Sequence, residues 1–280
     1  MIYRECYDWG RAALETAGVP EAELDARLLL EYVCETNRNT LLAHGDREVT
    51  AEEQSRYESL IARRADRIPL QHLTGVQEFM GLTFRVNEHV LIPRQDTEIL
   101  VEEVMRKLHD GMRILDMCTG SGCILISLLH YSNGCDGVGA DISREALEVA
   151  EENAKRLLGS EQSVRFRQSN LFEAISGKYE IIVSNPPYIE RGEIPGLMPE
   201  VRDYEPVTAL DGGEDGLDFY REIIRESREY LAGGGMLFFE IGSSQGADVQ
   251  ECMRQNGFVE TVIVKDYSGL DRVVYGTWLA

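Results

Sequence analysis

The sequence predicts an α/β protein: a doubly wound, mostly parallel sheet with an antiparallel hairpin at its C-terminal edge, preceded by a small N-terminal helical bundle and a linking β-hairpin. Three observations predict it. Apolar strand-like runs alternate with amphipathic helix-like runs from Arg113 onward, the pattern of a parallel sheet covered on both faces. Residues 1–75 carry apolar side chains at helical spacing instead. Between the two, Leu82, Phe84 and Val86 alternate with polar residues, as a strand does.

The bulk numbers allow such a fold. The chain has 280 residues and is 43% hydrophobic, enough for a sizeable core. Lys and Arg total 28 against 49 Asp and Glu, a formal net charge of −21. That balance opposes electrostatic capture of a phosphate backbone, so no direct nucleic-acid partner is expected. The six cysteines form no Cys-x-x-Cys and no metal-ligand spacing with histidine, so free thiols and no metal are expected. The N-terminal Met1-Ile2-Tyr3-Arg4-Glu5-Cys6 lacks a charged-then-apolar signal pattern, and no apolar run approaches a membrane span. A cytoplasmic location without membrane contact is the expectation.

In order, Trp9, Ala13 and Ala17 share one helical face, and Gly18-Val19-Pro20 ends that helix. Leu24, Leu28, Leu29, Tyr32 and Val33 predict a second helix. Thr50 and Glu53 form a capping-box pattern ahead of Tyr57, Leu60 and Ile61. This bundle, residues 1–75, is read as a substrate-recognition domain. Residues 76–92 read as the linking hairpin, and 93–280 as the sheet domain. Pro93-Arg94-Gln95-Asp96-Thr97-Glu98 opens a helix for which Asp96 or Thr97 is a fair N-cap. Strands are expected over 113–117, 137–141, 164–168, 179–184 and 236–241, with helices over 124–131, 144–158, 217–231 and 245–255. Residues 258–265 and 272–278 form the closing hairpin.

The chain is organised around Ile181-Ile182-Val183-Ser184-Asn185-Pro186-Pro187-Tyr188. A β-branched strand stops at two prolines, which cannot donate to a ladder. The stiff elbow offers an amide side chain, carbonyl acceptors and an aromatic ring, a set suited to an incoming –NH2 group with its two donors. Upstream, Asp116-Met117-Cys118-Thr119-Gly120-Ser121-Gly122 breaks a strand into a glycine turn before a helix, where backbone can approach a ligand closely. Asp141 ends the next strand, placed to accept from ribose hydroxyls, and Asn170, followed by Leu171, ends the third, placed to reach an adenine edge. The turn lacks a third glycine, Leu125 standing there, and lacks a phosphate-loop lysine. A nucleoside without phosphates is therefore favoured over a dinucleotide or a nucleoside triphosphate. Residues 189–216, a long connection after the elbow, read as a substrate-facing wall or lid.

These residues resemble the HemK/PrmC-type release factor glutamine methyltransferases, a group within the Rossmann-like class I S-adenosylmethionine-dependent methyltransferases. The resemblance also covers Ile68-Pro69-Leu70-Gln71-His72-Leu73-Thr74-Gly75, Glu78-Phe79, Leu91 to Glu98, Glu205-Pro206, and Ala209-Leu210-Asp211-Gly212-Gly213. It implies S-adenosyl-L-methionine as cofactor, held by Cys118, Thr119, Gly120, Ser121, Gly122, Asp141, Asn170, Leu171 and Asn185. It implies methylation of the side-chain nitrogen of a glutamine in the Gly-Gly-Gln motif of class I peptide chain release factors, a step in translation termination. Asn185, Pro186 and Tyr188 would be catalytic, with Pro187 and Phe79 also against the substrate. Cys118, Gln95 and Asn170 stand where the family usually has glycine, proline and aspartate. Asn-Pro-Pro-Tyr alone is shared with adenine and cytosine amino-methyltransferases of nucleic acids. Those, a ribosomal-protein glutamine methyltransferase, and a binding module whose cofactor entry Cys118 blocks are the competing readings.

Overall fold

The computed structural model describes residues 1–159 and 162–279. Its elements run α1 (Tyr3–Thr16), α2 (Ala22–Val33), α3 (Arg38–Ala43), α4 (Ala51–Ala65) and α5 (Leu70–Thr74), then β1 (Val76–Phe79) and β2 (Leu82–Arg85). Next come α6 (Glu98–Met105), β3 (Arg113–Met117), α7 (Cys123–Tyr131), β4 (Asp136–Asp141), α8 (Arg144–Leu157), β5 (Ser163–Gln168) and β6 (Tyr179–Ser184). The chain ends with α9 (Pro199–Arg202), α10 (Asp218–Ser227), β7 (Leu231–Glu240), α11 (Gly246–Gln255), β8 (Val259–Lys265) and β9 (Asp271–Trp278). No helix among the described residues is long and apolar enough to cross a membrane. Two compact units result: Met1–Val76 with Met198–Tyr204, and Gln77–Leu197 with Glu205–Ala280.

The first unit is helical. Helix α1 buries Tyr3, Cys6, Gly10 and Leu14, a stripe rotated from the expected face of Trp9, Ala13 and Ala17. The cause is Gly10. A Cβ there would lie 2.1 Å from the Tyr57 hydroxyl oxygen, so α1 meets α4 through a residue with no side chain. Trp9 is turned outward, 42% exposed, its ring edge-on to Tyr57 at 6.3 Å. In α2 the buried set includes Ala26, Leu29, Leu30 and Val33, while Leu24 and Tyr32 face outward. Helix α4 starts with the expected capping box, Glu53 N–H donating to Thr50 Oγ1 at 3.2 Å and Thr50 N–H to Glu53 Oε2 at 2.8 Å.

Arg64 donates to Asp25 Oδ2 at 2.7 Å and to Glu200 Oε1 at 2.9 Å, and Arg67 donates to both Glu200 oxygens. Tyr204 adds a hydroxyl bond to the Asp66 carbonyl at 2.8 Å. These bonds explain why residues 198–204 pack with the helical unit, whereas the sequence puts them inside a continuous 93–280 domain.

The second unit is a seven-stranded sheet of order β5-β4-β3-β6-β7-β9-β8. The ladders from β5 through β7 are parallel, and β9 runs antiparallel to both β7 and β8. Alternate residues face opposite sides of the sheet. Ile114, Ile181, Val183 and Phe238 pack on one side with α6 and α7, while Leu115, Met117, Ile182, Leu237 and Phe239 pack on the other with α10 and α11. From Gln77 on, the β1-β2 hairpin belongs to this unit. Strand β7 begins at Leu231, ahead of the expected Met236, because Leu231 pairs with Tyr179 across a register shift. Strand order reverses between β3 and β6, and ligands of open α/β sheets bind beyond the carboxyl ends at such a reversal. Register pairs Met117 with Ser184, and the Ser184 hydroxyl donates to the Met117 carbonyl at 2.7 Å. The glycine turn and the proline elbow therefore leave the sheet side by side.

Candidate active site

A cavity of about 340 Å³ opens at that edge. Its lining includes Cys118, Thr119, Gly120 and Ser121 after β3, Asp141, Ile142 and Ser143 after β4, Asn170 and Leu171 after β5, and Asn185 and Pro187 after β6. Leu91, Pro93, Arg94, Thr97, residues 206–209, Asp211 and Phe219 are also among the lining residues. The 189–216 connection thus supplies part of the wall.

The turn is built from left-handed backbone: φ is 62° at Cys118, 54° at Gly120 and 78° at Gly122. At Gly122 a Cβ would fall 2.8 Å from Ile126 Cδ1 and 3.1 Å from Ala150 Cβ, so only glycine lets α7 start this close to α8. Cys118 adopts the left-handed region with a side chain, at a cost of about 1 kcal/mol, and burial pushes its thiol pKa up. The Thr119 hydroxyl donates to Asp116 Oδ2 at 2.6 Å. Asp116 is fully buried. Burial pushes its carboxyl up to about 7, against the pull of the Thr119 hydroxyl and the Leu125 N–H.

Asp141 accepts from Gly120 N–H on Oδ2 and from Ser143 N–H on Oδ1, both at 2.9 Å. Burial raises its pKa and these backbone donors oppose the rise. Each carboxylate oxygen keeps acceptor capacity, so Asp141 is fixed yet able to take ribose hydroxyls. The Asn170 amide nitrogen donates to Glu173 Oε1 at 3.0 Å, leaving its oxygen for an amino donor. Apolar Leu171 and Ile142 stand beside it.

The Asn185 Nδ2 donates to Thr97 Oγ1 at 3.4 Å, and its Oδ1 has no protein partner among the described residues. The sequence-predicted elbow residues then separate. Pro187 lines the cavity with Asn185, but the Pro186 and Tyr188 side chains do not. Pro186 is buried, and among the described residues no backbone N–H outside the regular ladders donates to its carbonyl. The Tyr188 ring turns into the protein and its hydroxyl donates to Glu240 Oε1 at 3.2 Å. Burial and the adjacent Glu240 carboxylate push its phenol up. Gly212 and Gly216 pack on the Tyr188 backbone, where a Cβ would lie 2.7 Å from Tyr188 Cα and 2.4 Å from its carbonyl oxygen. Phe79, expected to wall the substrate site, is 1% exposed and packs edge-on to Phe84 at 6.0 Å. It belongs to the core because β1 turns that side of the strand inward.

Arg94 and Thr97 are site residues that sequence reasoning did not single out. Arg94 Nη2 lies 2.7 Å from both Glu205 oxygens. Burial raises the Glu205 pKa while Arg94 lowers it. Thr97, expected as a helix cap, makes no side-chain cap bond; it is 2% exposed and its hydroxyl meets Asn185. The available signal was a polar, charged run directly after the apolar Val90-Leu91-Ile92. No group of His, Cys, Asp and Glu suited to a metal ion occurs among the described residues.

Comparison with known proteins gives consistent matches along the chain. Residues 5–75 match the family described as PrmC N-terminal domain, and residues 94–197 match methyltransferase small domain. A release factor glutamine methyltransferase of Geobacter sulfurreducens is 41% identical over 98% of this chain and 95% of its own. One from Moorella thermoacetica is 43% identical over 97% of each. Among solved structures, a methyltransferase from Pyrococcus furiosus superposes with a TM-score of 0.52 at 16% identity, over 80% of this chain and 98% of that one. That likeness concerns the fold.

Proposed function

The chain belongs to the release factor glutamine methyltransferase family, and we propose that it methylates the side-chain nitrogen of the glutamine in the Gly-Gly-Gln motif of class I peptide chain release factors. The observation that carries this reading is Asn185, whose oxygen has no protein partner among the described residues, at the wall of a cavity that Asp141 and the glycine turn also line.

S-adenosylmethionine fits the residues present. Asp141 would hold the ribose hydroxyls, Asn170 with Leu171 and Ile142 would line the adenine end, and the backbone of residues 118–121 would receive the amino-acid end. When bound, the cofactor supplies an electrophilic methyl group on sulfonium. The acceptor nitrogen is a poor nucleophile because its lone pair is delocalised into the carbonyl. Asn185 Oδ1 accepts one of its N–H groups, and the Pro186 carbonyl accepts the other. Each bond contributes about 1 kcal/mol net. Aligning the nitrogen for attack matters more, since good alignment can supply roughly 7–11 kcal/mol. The same acceptors stabilise positive charge arriving on nitrogen, and water takes the proton afterwards. Tyr188 acts from behind, holding the elbow to Glu240 rather than touching the amide. The setting is the cytoplasm, where a translation factor is available as substrate.

The test is incubation with methyl-labelled S-adenosylmethionine and, in parallel, a class I release factor, ribosomal protein and DNA, followed by mass spectrometry of the labelled residue. Label on the Gly-Gly-Gln glutamine is expected. Label confined to DNA bases or to ribosomal protein overturns the reading.

A further inference from the structure

We propose that Thr97 and Glu240 are positioning residues that determine which end of the Asn185 carboxamide faces the substrate. The inference rests on the glutamine-methylating reading above, but its geometry can be tested without turnover.

A carboxamide is nearly symmetric in shape and opposite in chemistry at its two ends. If Asn185 presented its –NH2 to the cavity, it would face the –NH2 of a glutamine donor to donor, and no hydrogen bond would form. Something must therefore select the rotamer with oxygen inward. Thr97 is the residue at the other end: its hydroxyl lies 3.4 Å from Asn185 Nδ2. A hydroxyl, however, can donate or accept. Were its proton directed at Asn185, the amide would reverse.

Glu240 removes that ambiguity. It sits at the end of β7, 2% exposed. Its Oε1 accepts from the Tyr188 hydroxyl at 3.2 Å. Its Oε2 is buried and has no hydrogen-bond partner among the described residues; the Thr97 hydroxyl is near enough to the carboxyl to pull its pKa down against the rise that burial causes. A buried carboxylate oxygen left unsatisfied is costly, so it takes the Thr97 proton. Burial pushes the Glu240 carboxyl up, and the Thr97 hydroxyl, Arg272 and the Tyr188 hydroxyl oppose that rise and favour the ionised, acceptor-only form; Arg272 is itself held by Asp266 at 3.1 Å and Asp96 at 3.2 Å. With its proton committed to Glu240, Thr97 can only accept from Asn185, and the Asn185 oxygen is turned to the cavity. Thr97 is available for this because its side chain makes no helix-cap bond. The arrangement also gives Tyr188 a role: it donates to Oε1, so Oε2 is the oxygen left wholly without a donor.

The experiment uses the full chain. In protein with 15N-labelled asparagine and methyl-labelled threonine, the Asn185 –NH2 protons should show a through-space contact to the Thr97 methyl. Glu240→Gln, which offers Thr97 a donor in place of an acceptor, should weaken that contact. In turnover with a release factor, Thr97→Val should lower kcat by about 10²-fold, the scale of a small misplacement of reacting groups, with the cofactor Kd within two-fold. Thr97→Ser, which keeps the hydroxyl, should restore kcat to within a few-fold. Absence of the contact in the wild type, or wild-type kcat in Thr97→Val, overturns the proposal. If the wild type transfers no methyl to glutamine, the functional reading fails while the resonance measurement still decides the orientation.

Discussion

The backbone N–H of Gly120 donates to Asp141 Oδ2 at 2.9 Å, tying the turn after β3 to the tip of β4. One carboxylate thereby shapes the glycine turn and presents acceptors to the cavity. The two tasks can be separated by substitution. Asp141→Asn keeps an oxygen for Gly120 but loses the charge that strengthens bonds to ribose hydroxyls, worth about 1.5–3 kcal/mol. The expected result is a cofactor Kd raised about 10–100-fold with little change in unfolding free energy. Asp141→Ala also leaves the Gly120 N–H unsatisfied, and should cost a further 1–3 kcal/mol or so of stability. Calorimetric titration and urea unfolding of the two variants check both halves.

Asn185→Ala separates binding from chemistry. The cofactor contacts of Asp141, Asn170 and the turn survive it, so the cofactor Kd should stay within about two-fold. Turnover on release factor should become undetectable, because the alanine neither holds the acceptor nitrogen nor stabilises charge on it. Retained turnover in this variant rejects the role given to the elbow.

Asp116 makes stability depend on pH. Burial raises its carboxyl from an ordinary value near 4 to about 7 in the folded protein, so the folded state holds the proton more tightly than the unfolded chain. Its contribution is fully present below about pH 4 and is lost as pH rises through 7, up to about 4 kcal/mol for a shift of this size. Asp116→Asn cannot ionise and can still accept from Thr119 through its amide oxygen. Unfolding free energies of wild type and variant from pH 4 to pH 8 should differ in slope, the variant being the flatter.

Much of this was legible beforehand, for physical reasons that differ by element. The parallel sheet was readable because its central strands are apolar on both faces and end in residues that cannot continue a ladder, as at Pro186 and Pro187. The α4 cap was readable because Thr50 and Glu53 satisfy each other locally. The α1 face was not, because Gly10 carries no hydrophobic signal and its effect depends on Tyr57, 47 positions away. Phe79 beside Glu78 looked like a site residue from its place in a motif, yet strand alternation decides which way a side chain points. Thr97 read as a helix cap because a threonine ahead of a helix is usually one. Its hydroxyl serves Asn185 only once β6 and the start of α6 are brought together, a long-range fact with no local signature. Residues 198–204 left the expected domain for the same reason, since their attachment depends on arginines more than a hundred positions earlier.

That attachment makes the last prediction. The Glu200 side chain is 10% exposed and accepts from Arg64, 7% exposed, and Arg67, 23% exposed. Burial pushes the Glu200 carboxyl up, but the bonds from Arg67 and Arg64 outweigh it and hold the pKa below its usual value. The stability so contributed is present at neutral pH and lost as pH falls through the folded pKa. Glu200→Ala removes the acceptor of both guanidiniums. Arg64 keeps Asp25 at 2.7 Å, whereas Arg67 loses the only carboxylate it meets among the described residues. Breaking a buried pair from one side costs about 3–5 kcal/mol, and the partial exposure of Arg67 places the expected loss at about the lower end. Hydrogen exchange should show faster opening of the α2 and α4 amides in Glu200→Ala, with the amides of β3 and β6 unchanged. Adding Arg67→Ala to Glu200→Ala should cost little more, because the charge left unpaired by the first change is removed by the second; a full additive loss would mean that Arg67 is held by packing rather than by Glu200.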